Sequence, residues 1–210
     1  EQVIHRMYKM IKTSTLPKFC KKINSIDEIN NYFTVNLTNR YDRVRVIGDI
    51  HGCYTALQQA ITPWDEKTLY IFCGDYLERG IENKEMMYEM MRLSTLPNTI
   101  MLEGNHERHI ANFAFHTNLD RSKRFMKDVV APIVKDMTKK EVESLQRELR
   151  LFYKSLRQCY PFSFHGKKYL VSHGGISYVP NMTFIATSTF INGFGTYETN
   201  IANIYDTNYE

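Results

Sequence analysis

Four short blocks of the sequence carry side chains that can bind metal ions. They read Gly48-Asp49-Ile50-His51-Gly52, Gly74-Asp75-Tyr76-Leu77-Glu78-Arg79-Gly80, Gly104-Asn105-His106-Glu107 and Ser172-His173-Gly174-Gly175. Carboxylate and imidazole donors suit Mn²⁺, Fe or Zn²⁺. Asp49 and His51 lie two apart, so both can face one ion from an extended loop end. Asp75 offers two oxygens and can bridge two ions. Asn105 adds a neutral carbonyl oxygen and His173 a further nitrogen. The flanking glycines let the backbone turn tightly without a Cβ clash. Two ions roughly 3.5–4 Å apart can clamp a phosphoryl group and activate a water between them. Taken singly, an Asp at a strand end reads as a turn former. His5, His109, His116 and His165 read as structural or surface residues. The four blocks taken together read as one site.

Such a site needs strands that end at one edge. Val44-Arg45-Val46-Ile47 is a β-rich run that stops at Gly48. The run from Thr68 to Cys73 stops at Gly74, and Thr99-Ile100-Met101-Leu102 stops just before Gly104. A helix-like stretch with Leu57 and Ile61 lies between the first two. Another, over 83–93, lies between the second and third, with Met86, Met87, Met90 and Met91 as adaptable core filler. Alternating strands and helices predict an α/β layered fold, in which the carboxyl ends of the strands of one sheet bring the loops together. Thr138 and Glu141 form a capping-box signature that opens a helix over 138–157. Its stripe of Val142, Leu145, Leu149, Phe152 and Leu156 is expected to pack on its own domain rather than in a coiled coil. A hairpin follows, from Phe162–His165 through Gly166 to Tyr169–Ser172. Residues 1–12 read as a helix, residues 13–24 as a linker, and Ser25 with Glu28 as a second capping box. The last 30 residues read as irregular strands or a tail.

The chain has 210 residues, 43% hydrophobic and 13% aromatic, with a formal net charge of +4. That composition excludes disorder as the main state and leaves enough apolar surface for a core. No apolar run reaches the roughly 18 residues of a membrane span. The mild positive charge suits a phosphorylated substrate without demanding nucleic acid. Cys20, Cys53, Cys73 and Cys159 form no C-x-x-C pair, and the expected location is a reducing cytoplasm. The chain starts at Glu1 and not at Met, which suggests processing or a piece of something longer.

The four blocks resemble the signature of calcineurin-like metallophosphoesterases, most closely the phosphoprotein-phosphatase branch with its bacterial and phage members. The resemblance spans about residues 43–178. It implies a β-sandwich flanked by helices, with a dinuclear centre at the strand carboxyl ends. It implies Asp49, His51 and Asp75 on one ion, with Asp75, Asn105 and His173 on the other. Two divalent ions are expected, with Mn²⁺ preferred and Fe or Zn²⁺ allowed. The implied reaction is in-line attack of metal-bound hydroxide on a phosphate ester. His106 would protonate the leaving oxygen, Glu78 would hold its imidazole, and Arg79 would grip phosphate oxygens.

Three departures stand out. Glu103 occupies a place where protein phosphatases usually carry Arg, and there it would repel a phosphate dianion unless it points away or is paired. Glu78 replaces the family's Asp. No His follows His173, so the last family ligand is either beyond a truncated C-terminus or replaced, for example by Asp206. The segment Val3-Ile4-His5-Arg6-Met7-Tyr8, with Leu16-Pro17, resembles the end of a P-loop nucleic-acid kinase domain. The expected division is therefore residues 1–24 as a remnant of an upstream domain and 25–210 as the phosphoesterase domain. The expected activity is hydrolysis of phosphoprotein or of nucleic-acid 3′-phosphate ends. A dinucleoside polyphosphate hydrolase and a degenerate binding module are the alternatives. Basic residues over 121–127 and 139–157 could contact a phosphate backbone, but acidic residues interleave the second stretch, which favours a solvated helix face.

Overall fold

A computed structural model describes residues 33–176 and 185–193, with Ser25 and Glu28. The chain divides into two compact units, residues 1–33 and 34–210. In the first, the Glu28 amide donates to Ser25 Oγ at 3.1 Å, one half of the expected capping box. The expected helix over 1–12, the linker over 13–24 and Asp206 lie outside the described residues.

The second unit is built on two three-stranded sheets. One contains β2 (Arg43–Ile47), β3 (Thr68–Phe72) and β4 (Thr99–Met101), all parallel, with Ile47 paired to Phe72 and Phe72 to Met101. The crossovers are α1 (Tyr54–Ile61) and α2 (Asn83–Ser94). The other sheet contains β1 (Val35–Asn36), β5 (Cys159–Phe164) and β6 (Lys167–Ser172). There β1 runs parallel to β5, and β5 and β6 form the expected hairpin.

Strand β3 explains why the sheets stack. All five of its residues are buried. Side chains alternate faces along a strand. Leu69 and Ile71 therefore pack with Leu37, Tyr41, Leu102, Tyr160 and Phe162 between the sheets. Tyr70 and Phe72 point the other way, into a core with Met86, Met90, Leu93, Ile110, Leu149 and Phe152. The result is an α/β sandwich flanked by helices, and the methionines of α2 are core filler as expected.

α3 (Glu107–Phe115) follows β4. Short helical turns fill residues 119–134, including a π-helical stretch at Met126–Val130. The sequence patterns mark only the basic residues over 121–127 in this region and none of its helical turns. α4 (Lys139–Ser155) buries Leu145, Leu149 and Phe152 against its own domain and bonds to α3 through Gln146 Nε2 to Phe113 O at 3.1 Å. Its capping box is complete. The Glu141 amide donates to Thr138 Oγ1 at 3.4 Å, and the Thr138 amide donates to Glu141 Oε2 at 2.7 Å. Thr138→Ala is expected to cost about 1 kcal/mol, read as a lower urea midpoint at unchanged slope. Among residues 185–193 the chain forms α5 (Thr187–Asn192), not a strand.

Candidate functional site

Parallel pairing sets the carboxyl ends of β2, β3 and β4 side by side, so the first three blocks emerge together. The fourth corrects the expectation of a single sheet edge. His173 follows β6, a strand of the other sheet. The hairpin turn at His165 and Gly166 reverses the chain, and His173 Nδ1 then donates to Cys73 O at 3.0 Å. Both layers contribute to the site.

The loops are locked by backbone bonds. The amides of Ile50 and His51 donate to Asp75 O at 3.2 and 2.9 Å, and the Gly80 amide donates to His51 O at 2.8 Å. His51, Asp75, Glu78 and Arg79 all have φ between 47° and 75°. Left-handed backbone at such residues is strained and persists only where the surroundings over-determine it. The approach between the second and third loops requires glycine. A Cβ on Gly74 (φ +102°) would meet Gly104 N at 2.3 Å, and one on Gly104 would meet Asp75 Oδ1 at 2.3 Å.

The residues singled out in the sequence converge on Asp75, whose side chain is only 3% exposed. Its Oδ2 faces His51 Nε2 at 3.6 Å, and its Oδ1 faces His173 Nε2 at 3.7 Å. Asp49 Oδ2 lies 3.8 Å from His51 Nε2, and Asn105 Oδ1 lies 3.0 Å from His173 Nε2. His51 Nδ1 donates to Leu77 O at 3.2 Å, which leaves the Nε2 lone pair aimed at two carboxylates. That buried nitrogen has no hydrogen-bond partner among the described residues. His173 is oriented in the same way, with Nδ1 bonded to a carbonyl, but its Nε2 stands at hydrogen-bond distance from Asn105 Oδ1 and 3.7 Å from Asp75 Oδ1. Lone pairs facing oxygens repel unless a cation stands between them, and ligating imidazoles are oriented in this way by a bond from the other nitrogen. The donors therefore fit divalent metal ions, and Asp49, His51 and Asp75 offer atoms within 4.8 Å of one another.

Beside this cluster, His106 Nδ1 bonds Glu78 Oε2. Arg79 Nη2 reaches His106 Nε2 at 3.3 Å, and the His106 amide donates to Asp75 Oδ1 at 3.0 Å. Asn83 steadies the Glu78 turn, accepting from its amide at 2.8 Å and donating to Gly80 O at 2.7 Å. Glu103 is half-buried and accepts from Tyr153 Oη at 2.6 Å, so a hydroxyl rather than a basic side chain partners it. Burial, and then this carboxylate, hold the Tyr153 phenol above its ordinary range. Burial first, and then Asp49, push the Cys73 thiol up to about 11, so it stays protonated at neutral pH.

Two neighbours carry no role in the sequence reading. Glu107 is wholly buried and accepts amides from three residues: Asp75 at 2.8 Å and Gly104 at 2.7 Å on Oε2, and Tyr76 at 3.0 Å on Oε1. Burial pushes its carboxyl up to about 7 despite those amides. In sequence it reads as an ordinary acidic residue of a first helical turn. His109 lies one turn along α3 from His106, with ring centroids 6.0 Å apart. Burial keeps it below the ordinary imidazole range. Of the other histidines read as ordinary, His116 ends α3 in a left-handed cap and His165 sits in the hairpin turn.

The chain is similar to several known proteins. Serine/threonine-protein phosphatase 2 of Salmonella typhimurium is 37% identical over 93 residues, 43% of this chain and 40% of its own length. The symmetrical bis(5′-nucleosyl)-tetraphosphatase of Baumannia cicadellinicola is 32% identical over 136 residues, 62% of this chain and 41% of its own length. A solved protein serine/threonine phosphatase from Saccharomyces cerevisiae matches 91% of this chain and 58% of its own, at 21% identity and a TM-score of 0.46. The chain spans about two-fifths of the length of these two curated relatives. The family model for calcineurin-like phosphoesterases matches residues 42–206, a span that contains every residue from Asp49 to His173 discussed above. With that much of its length matched, the chain belongs to the calcineurin-like phosphoesterase family.

Proposed function

We propose that this chain is a metal-dependent phosphomonoesterase. The observation that carries the reading is the Asp75 carboxylate, with one oxygen toward His51 and the other toward His173. On this reading Asp49, His51 and Asp75 hold one divalent ion, and Asp75, Asn105 and His173 hold a second. Oxygen and imidazole donors suit Mn²⁺, with Fe and Zn²⁺ as alternatives. Bound ions of this kind polarise phosphoryl oxygens and lower the pKa of water.

The chain's own side chains do the rest. His106 delivers a proton to the leaving oxygen from Nε2, while Glu78 on Nδ1 orients the ring. Arg79 stands at the same ring edge, and its fork of donors binds the non-bridging phosphate oxygens as charge develops on them. Glu107 and Asn83 hold the loops that carry these groups.

Phosphoserine or phosphothreonine in protein is the first substrate class, supported by the name of the Salmonella relative. A nucleotide substrate is the second reading, favoured by Glu103. A carboxylate two residues before Asn105 disfavours a compact dianion there, and the Baumannia relative is named for cleaving a dinucleoside polyphosphate. Phosphate release with Mn²⁺ should be compared for a phosphopeptide, a 3′-phosphorylated oligonucleotide and diadenosine tetraphosphate. The preferred substrate names the class. Asp75→Asn is expected to lower turnover at least about 100-fold, since even outer-shell partners of a metal site are worth 10–100-fold. Undiminished turnover in Asp75→Asn would place the chemistry elsewhere. No release from any substrate with Mn²⁺, Fe²⁺ or Zn²⁺, persisting when downstream residues are added, would make the chain a binding module.

A further inference from the structure

We infer that Glu78, His106 and His109 form an additional divalent-cation site, selective for a Zn²⁺-like ion, whose occupancy switches the hydrolase off. The switching part rests on the proposed role of His106 as proton donor; the binding part does not. One donor atom from each of these three residues lies within 4.8 Å of the others, a second such cluster beside that of Asp49, His51 and Asp75. All three side chains are partly buried. Two imidazoles and a carboxylate are a Zn²⁺ donor set, and three protein ligands leave one position for water. Zinc bonds of roughly 2 Å in a tetrahedral shell set donors roughly 3.3 Å apart, inside the 4.8 Å within which these three lie.

His109 is held as a ligating histidine is held. Its Nδ1 lies 2.8 Å from Ser122 Oγ, a buried hydroxyl that also accepts from Asn112 Nδ2 at 2.8 Å. The ring stacks on Phe125 with centroids 5.8 Å apart and planes at 22°. With Nδ1 as the donor to Ser122, Nε2 carries the lone pair, as the weak 3.5 Å bond it accepts from Arg108 Nε requires, and an arriving cation displaces that bond. Fixing one ring nitrogen sets the tautomer and aims the other. Nothing in the proposed reaction uses His109.

Coordination changes what His106 can do. The Nδ1 proton now shared with Glu78 is released to solvent, and the ion takes its place between the two side chains. An imidazole bound to a cation through Nδ1 keeps its Nε2 proton but cannot become an imidazolium, and giving that proton up would leave an imidazolate, so it is a far weaker acid toward the leaving oxygen. Glu78 is occupied by the same ion. Hydrolysis stops without any change in the Asp75 cluster.

The test uses the Mn²⁺-loaded chain titrated with ZnCl₂. Total metal per chain, Mn plus Zn, is counted by elemental analysis after dialysis, and phosphate release is followed in parallel. The wild-type chain is expected to bind one ion more than His109→Leu. The half-inhibiting zinc concentration should rise at least about 10-fold in the variant, with zinc-free turnover unchanged. His109→Gln, which keeps a polar group for Ser122, should behave like His109→Leu and guards against a packing effect. Equal metal counts in wild type and both variants would overturn the site. Equal zinc sensitivity with unequal counts would overturn the switch. Absence of turnover in every protein would count against the phosphoesterase reading instead, and the metal count would still decide the site.

Discussion

His106→Asn is expected to slow hydrolysis of an alkyl phosphate by about 10²–10⁴-fold and hydrolysis of p-nitrophenyl phosphate by less than about 10-fold. The difference follows from the leaving group. An alkoxide is a strong base and leaves only as it is protonated, whereas p-nitrophenolate is stable enough to leave alone. The backbone amide of residue 106 still reaches Asp75 Oδ1 in the variant, so the metal cluster loses nothing directly. Asn is also small enough to sit where the imidazole sat. Glu78→Gln should give a smaller loss with the same dependence on leaving group, because Glu78 touches the ring and not the substrate. Steady-state rates on the two substrates decide the matter. Equal losses on both would show that His106 binds phosphate or metal rather than donating a proton.

The parallel half of the fold was readable because its signals are local. β3 and β4 are short apolar runs and β2 is a β-branched run alternating with arginine, each followed closely by a glycine, and each crossover helix carries apolar residues at helical spacing. α4 announced itself through Thr138 and Glu141 and through a stripe that the structure buries on α3. The eight residues singled out for the site are brought together because each sits on a loop at a strand end, where glycines mark the turn.

What escaped the sequence depends on contacts far apart in the chain. His173 meets Cys73 across 100 residues, and nothing near His173 says that β6 joins the other sheet. Residues 119–134 form short turns of mixed helical type, so no single period runs through them. Glu107 and His109 look like polar residues on an exposed first turn of α3. Only the fold reveals that one is wholly buried and the other stands against Glu78 and His106. Glu103 shows the same limit. As a sequence departure it signalled a possible clash with phosphate, but its partner Tyr153 is 50 residues away on α4. That hydroxyl anchors the carboxylate without neutralising it, which is why the substrate test includes nucleotides.

Glu107 should be the most sensitive position for stability. Glu107→Ala leaves the amides of Asp75, Tyr76 and Gly104 without their acceptor, at about 1–3 kcal/mol for each buried group that water does not reach. A total loss on the order of 3–5 kcal/mol is expected, read from urea denaturation, and a loss below about 1 kcal/mol would mean that the loops are held by something else. Charge and shape are separated by Glu107→Gln in metal-free protein. The folded-state pKa of about 7 lies above the ordinary 4.5 of a glutamate carboxyl, so the neutral form is the one the fold favours. Its contribution is complete below about pH 4.5 and is lost as pH rises through 7. Two and a half pKa units correspond to about 3 kcal/mol over that window, the upper end of what the wild-type chain should lose from this group. The Gln variant cannot ionise and should lack that part of the slope. Identical pH dependence in the two proteins would show that Glu107 is already ionised when the chain folds, held so by the three amides around it.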